Sequence, residues 1–126
     1  MIGIDGLQHF LDALARIDLA PAQLGALAAE ADQLAGAVRT SLSDPPGSDH
    51  ATPWLRTGAL QASIASQASE SEAVIGSADP VAVYQERGTR TVPPRPFLAP
   101  AGAAGAEDAA RRIGRTIADA IKEALR

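Results

Sequence analysis

The sequence predicts an α+β fold, with long helices packed on a small antiparallel β-sheet that contains a β-hairpin, closed by a C-terminal helix. Three observations predict it. Apolar residues recur at spacings of three and four through the first forty positions, as on amphipathic helices. Ser63 to Ser69 alternates small apolar and polar residues, and Ala73-Val74-Ile75-Gly76 follows after a polar Glu70-Ser71-Glu72 connection, the pattern of a hairpin. A last helical stripe, Ala110, Ile113, Ile117, Ile121 and Leu125, runs to the end of the chain.

The elements follow in order. Leu7, Phe10, Leu11, Leu14 and Ile17 place a first helix over 5–17. Asp18 is a candidate cap for a second helix with Pro21 in its first turn. That helix carries Leu24, Leu27, Ala31, Leu34 and Val38 on one face, which fits a helix–helix seam or a helix lying on a sheet. Asp44-Pro45-Pro46-Gly47 stops it near Ser43. Residues 44–56 form a loop rich in Pro, Gly, Ser and Asp, with Trp54 read as a lid near its end. Thr57-Gly58-Ala59-Leu60 predicts a short helical turn before the hairpin. Asp79 as N-cap, Pro80 in the first turn and Gly88 as a stop predict a short helix, with a strand as the competitor. Thr89 to Val92 is β-prone, and Pro93-Pro94-Arg95-Pro96 forces extended backbone. The final helix starts near Pro100. Glu107 and Asp108 are read as near its start, and Lys122 and Arg126 near its end, an order that complements the helix dipole. Gly102, Gly105 and Gly114 each weaken it by about 1 kcal/mol relative to Ala.

Composition bounds what such a chain can do. Its 126 residues suit one domain spanning 1–126. Apolar residues make up 46%, or 58 residues, but 28 of these are Ala, so only 30 carry a large apolar side chain. At about 25 cal/mol per Å² of buried apolar area, such a core leaves a small margin over chain entropy. Part of the burial is therefore expected from a partner, including other copies of the chain. There is no Cys, which excludes disulfides and thiolate chemistry. No run of about 18 apolar residues is present, so no membrane partner is expected. The first residues lack a basic region ahead of an apolar run, so synthesis in the cytoplasm is expected. A net charge of −4 argues against a dedicated or sequence-specific nucleic-acid binder. The charge is uneven: residues 1–44 hold six acids and two bases, while 81–126 hold five acids and eight bases. Neighbouring copies could pair these ends, or each could be a solvated face.

Candidate chemistry is sparse. His9 lies in the first helix beside Phe10, and Ser48-Asp49-His50 has triad letters that contiguous loop residues cannot arrange into triad geometry. No two-His metal spacing, Walker loop or dinucleotide loop is present. Tyr84 and Glu86 form a possible acid pair without a cofactor motif nearby. The chain is therefore expected to have no catalytic residues, no cofactor and no metal. Arg87, Arg90 and Arg95 cluster in a Pro/Gly-bounded loop, and their guanidinium groups suit bidentate contact with carboxylate or phosphate, or simple solvation. Without interleaved aromatics, a carboxylate partner is favoured over DNA.

The stretch from Leu55 to Ala101 carries four short motifs in order. They are Thr57-Gly58-Ala59-Leu60 with Ser63-Ile64, then Val74-Ile75-Gly76, then Tyr84-Gln85-Glu86-Arg87-Gly88-Thr89, and last Pro96-Phe97-Leu98-Ala99-Pro100-Ala101. This order resembles the gene-product-ten-like family of tailed-phage neck, head–tail joining and tail-completion proteins. The resemblance implies family-motif positions at Thr57, Gly58, Leu60, Ser63, Tyr84, Glu86, Gly88, Thr89, Pro96 and Phe97. It implies an α+β fold without catalysis, and copies joined in a ring, a hexamer, at the head–tail junction beside other neck and tail-tube proteins. The particle would be a virion, a prophage product or a gene-transfer particle assembled in a bacterium. Ala-richness and the Pro-rich 44–53 loop depart from that pattern. Read from the residues, Glu86 near Arg87, Arg90 and Arg95 is an ion-pair set for the loop. Trp54, Arg87, Arg90, Arg95 and Phe97 are subunit-interface candidates. The loops 44–56 and 87–97 are expected to be flexible and to order on docking. The alternative function is a small non-enzymatic helical adaptor in a cellular complex.

Overall fold

A computed structural model describes residues 4–126 of the chain. The elements are α1 (Ile4–Ala15), α2 (Ala20–Ser41), α3 (Ala59–Ala62), β1 (Ile64–Ala68), β2 (Ala73–Ser77), α4 (Pro80–Arg87) and α5 (Ala99–Ala124). The fold is α+β. β1 and β2 form an antiparallel hairpin in the register Ile64 to Ser77 and Ala68 to Ala73.

α2 is the spine. Its sequence is rich in Ala all round rather than on one face, and it is covered on two sides, by the hairpin and by α5. The helix–helix seam and the helix-on-sheet packing are thus both present. Ala35, Val38 and Leu42 turn toward Ile64, Ala82 and Phe97 to make the core, flanked by Leu60, Ile75, Leu98 and Ala101. Glu30 and Leu34 face α5 instead. Glu30 accepts a two-pronged contact from Arg112, Nε to Oε1 at 2.7 Å and an NH2 group to Oε2 at 2.9 Å. That hydrogen bond and the guanidinium charge hold the Glu30 carboxyl below its ordinary range, against the opposing effect of burial. Leu34 lies against Gly105, where a Cβ would stand 3.4 Å from its Cδ1. The pairs 30–112 and 34–105 make α2 and α5 antiparallel. Gly105, a weak helix residue in isolation, lies at this contact between the two helices.

α2 is fixed on the hairpin by polar clamps. An Arg39 guanidinium NH2 group donates to the Ile64 carbonyl at 2.6 Å, and the Ser66 hydroxyl donates to the Asp32 carboxylate at 2.7 Å. Asp79 caps α4 through the Val81 N–H, as its position before Pro80 predicts. Thr89–Val92 does not form a strand. Thr89 Oγ1 accepts from the N–H groups of Thr91 and Val92, closing a turn.

Three expectations need correction. The predicted stripe of α1 does not enter the core: Leu7 is 54% and Phe10 49% exposed, with Leu11 and Leu14 exposed beside them. Helical spacing reports which face is apolar, not what covers it, and α1 ends at Ala15, two residues short of its expected end. On α2, Asp18 bonds the Ala20 N–H, but Leu19 occupies the N-cap position. The dipole argument for α5 also changes, because the helix begins at Ala99 and leaves Glu107 and Asp108 about two turns inside it. There they pair with Arg111 on the exposed surface.

Candidate functional site

The motif residues converge where α3, the hairpin, α4 and the start of α5 meet. Gly58 takes φ +83° at the N-cap of α3, a conformation open to Gly, and Thr57 Oγ1 accepts the Ala59 N–H. Leu60 packs at the edge of the core. The Ser63 hydroxyl donates to the Leu60 carbonyl, so its 2.6 Å contact with Ser77 is one in which Ser77 donates. Ser77 Oγ in turn accepts the Asp79 N–H. This chain ties α3 to the end of the hairpin and to the start of α4. Tyr84 is exposed on α4, and Pro96 is exposed ahead of α5.

Glu86 is the knot. Its Oε2 accepts the N–H groups of Phe97 at 2.8 Å and Leu98 at 3.0 Å, and its Oε1 accepts that of Ala99 at 2.9 Å. The first N–H groups of a helix lack partners, and no side chain of α5 itself caps it. A carboxylate from α4 supplies both the acceptors and the negative charge that the helix start favours. The expected ion-pair set is therefore overturned: Glu86 binds backbone donors, and among the described residues Arg87, Arg90 and Arg95 form no salt bridge. Burial would raise the Glu86 carboxyl, but the Leu98, Phe97 and Ala99 N–H groups outweigh it and hold the group below its ordinary 4.5. A depressed folded pKa gives stability that is complete above 4.5 and lost as pH falls through the lower folded value. Glu86→Gln, which keeps one acceptor oxygen and loses the charge, is expected to cost about 1–2 kcal/mol at neutral pH. Urea midpoints measured from neutral pH downward should show the gap between wild type and variant closing in acid; a gap independent of pH counts against the cap.

Phe97, expected at a subunit interface, is a core residue only 2% exposed, so its ring has no surface for a neighbour. The rigid Pro94-Arg95-Pro96 run delivers it inward rather than outward. Trp54 is half-buried and stacks on His50 with ring centroids 3.7 Å apart, while its indole N–H donates to the Ser48 carbonyl at 3.2 Å. The Arg56 guanidinium lies 5.4 Å from the Trp54 ring centroid, a cation–π contact. Arg95 joins the two loops: its Nε donates to the His50 carbonyl and its backbone N–H to that of Gln85. Desolvation against Trp54, with the Arg95 and Arg56 charges, lowers the His50 pKa despite Asp49. The Ser48 hydroxyl is engaged by the Pro45 carbonyl rather than by His50.

Two grooves border this region. One, of about 340 Å³, has Leu42, Pro53 and Leu60 in its floor and Arg56, Arg95 and Val81 on its rim. Gln85 Oε1 is buried in its wall without a hydrogen-bond partner. The other, of about 530 Å³, runs between α2 and α5 over Leu34, Ala37, Phe97 and Gly105. Arg56 and Val81 were not singled out from the sequence, although Arg56 directly precedes the Thr57-Gly58 motif. Among the described residues no group of three His, Asp or Glu side chains is placed to hold a metal ion, and no helix is long and apolar enough to cross a membrane. Comparison with protein-family models, curated proteins and solved structures finds no match to this chain.

Proposed function

We propose that this chain is a structural protein of the head–tail junction of a tailed phage or phage-like particle, assembled in a bacterium, which completes the tail or joins it to the head as a ring of copies. One observation carries the reading beyond the motif resemblance. A single subunit leaves a four-residue apolar helix stripe exposed, and leaves Arg56, Arg87, Arg90 and Arg95 without carboxylate partners among the described residues. Exposed apolar stripes and uncompensated charges of this kind mark association surfaces. The convergence of the motif positions on one knot adds support, since they act together to set the loop that bears three of those arginines.

The mechanism is assembly. One face of each copy meets a different face of the next, a heterologous contact that closes into a ring when the rotation allows. Light scattering of the pure 12.9 kDa chain should show mass rising with concentration toward a closed oligomer, a hexamer by the resemblance, with rings in electron micrographs. A chain that stays monomeric and joins neither isolated tails nor capsids would sink the proposal. If that monomer instead bound a cellular protein through α1, the adaptor reading would replace it.

A further inference from the structure

The wall of the 340 Å³ groove is a run of residues that hold one another in place. The Gln85 carbonyl accepts the Arg95 N–H at 2.6 Å, and the Arg95 Nε donates to the His50 carbonyl at 3.2 Å. His50 stacks on Trp54, and the Arg56 guanidinium lies over the Trp54 ring. All five residues line the groove, so two guanidinium groups flank one aromatic pair. Both are near enough to the imidazole to add to the desolvation that lowers the His50 pKa. Among the described residues the Arg56 side chain donates no hydrogen bond, the Arg95 side chain donates only through Nε, and neither has a carboxylate partner. The one acid in the lining is Asp79, whose Oδ1 accepts the Val81 N–H at the start of α4. With His50 neutral, two arginines and one aspartate leave the lining with a single net positive charge. Gln85 adds an acceptor. It is half-buried, and its Oε1 has no hydrogen-bond partner. Buried polar atoms without a partner are rare. The amide turns about its terminal torsion, so this oxygen can meet a donor that enters the groove. Leu42, Pro53 and Leu60 supply the apolar floor.

We propose that this groove binds the carboxyl-terminal end of a peptide chain, with the terminal carboxylate on Arg56 and Arg95, the last amide N–H on Gln85 Oε1, and an apolar last side chain over Leu42 and Leu60. Three features select that ligand. Guanidinium groups bind a planar carboxylate through paired N–H donors, and one carboxylate neutralises the lining. An orphan acceptor calls for a donor, which a bare anion does not offer beside an apolar group. An apolar floor with a few convergent polar groups is the usual make-up of a small-ligand site, and 340 Å³ lies in the usual range of volume. A chain end unites carboxylate, N–H and apolar side chain within one residue. The site gives a partner to two of the four arginines counted above, and it stands whether or not copies of the chain form a ring.

Trp54 is the only tryptophan of the chain, so its fluorescence reports on the site directly. The probe is N-acetyl-leucine, which carries the carboxylate, the N–H and an apolar side chain, titrated into the full chain at constant ionic strength. It should change the Trp54 emission with a Kd of about 1 mM. N-acetyl-leucine amide lacks the carboxylate and should bind at least about tenfold more weakly. 4-Methylpentanoate lacks the N–H and should bind about threefold more weakly. Arg56→Gln, at an exposed position, should weaken N-acetyl-leucine about tenfold at an unchanged urea midpoint. Gln85→Leu removes the orphan polar atom, so it should weaken the probe about threefold while the urea midpoint holds or rises. A Gln85 that serves structure alone would leave the affinity where it is. Binding of N-acetyl-leucine amide or of inorganic phosphate as strong as that of N-acetyl-leucine overturns recognition of a chain end. Absence of saturation by N-acetyl-leucine below about 50 mM overturns the site altogether. Neither result bears on the ring reading, which stands or falls on mass and micrographs.

Discussion

Phe97→Ala is expected to lower unfolding stability by about 3–5 kcal/mol, the range for truncating a buried aromatic. The reason is the poverty of the core around it. The buried cluster around it is Ala35, Val38, Leu42, Ile64, Ala82 and Phe97, and Phe97 is its only aromatic. Ala35 and Ala82 contribute little area, so the ring is the piece that joins α2, the hairpin and α4. Truncation leaves a cavity that Ala neighbours cannot fill by changing rotamer, because they have none. Against a typical total of about 5–15 kcal/mol, the loss is a large share of stability. With a urea m-value of about 1–2 kcal/mol/M, the midpoint should fall by about 1.5–5 M at unchanged m. Phe97→Leu, which keeps most of the volume, should recover much of the loss. A Phe97→Ala midpoint within about 0.5 M of wild type would mean that the ring does not fill this core.

The sequence makes the elements legible and their partners much less so. Asp79, Pro80 and Gly88 mark both ends of α4 because capping and stopping are local events. The polar Glu70-Ser71-Glu72 connection places the hairpin for the same reason. Burial is not local. The stripe of α1 and the stripe of α2 look alike on paper, yet Leu11 is exposed while Val38 is fully buried. Which α2 residues face the sheet was also hidden, since Ala supplies no contrast between faces: Ala35 is buried, whereas Leu24 of the expected stripe is exposed.

At the candidate site the same division holds. From the sequence Gly58, Gly76 and Gly88 read as element ends where positive φ is cheap only for Gly; Gly58 and Gly88 have it, while Gly76, inside β2, does not. The role of Glu86 could not be read in this way. Its partners lie eleven to thirteen residues away, and nearby arginines suggest an ion pair more readily than three backbone N–H groups do. The signal was nonetheless present in retrospect: Leu98-Ala99-Pro100 opens a helix with no Ser, Thr, Asp or Asn to cap it, so a cap had to come from another element. That shared cap also ties the Glu86 motif of α4 to the Phe97 motif at the start of α5.

Gly88→Ala tests that unit most directly, and its expected cost is about 2–6 kcal/mol. Gly88 has φ +75° and ψ 172°, a region essentially reserved for Gly, which costs about 1–3 kcal/mol for any other residue. A Cβ there would also stand 2.8 Å from the Pro94 nitrogen and 2.9 Å from the Val92 carbonyl oxygen. These are backbone atoms in a Pro93-Pro94 run, so relief requires moving the loop, a further cost of about 1–3 kcal/mol. The loop cannot move alone. The Arg95 N–H is bonded to the Gln85 carbonyl at 2.6 Å, and Phe97 and the Glu86 cap follow directly behind. The strain should therefore spread to the Phe97 site, and Gly88→Ala combined with Phe97→Ala should cost less than the sum of the two. Gly76→Ala is the control: no atom lies within 4 Å of the added Cβ and its φ is not positive, so stability should be unchanged or rise by up to about 1 kcal/mol. Urea unfolding of Gly88→Ala, Phe97→Ala, the double variant and Gly76→Ala beside wild type measures all of this. If Gly88→Ala fell within about 1 kcal/mol of Gly76→Ala, the close contacts of Gly88 with Val92 and Pro94 would not constrain the 88–97 loop between α4 and α5.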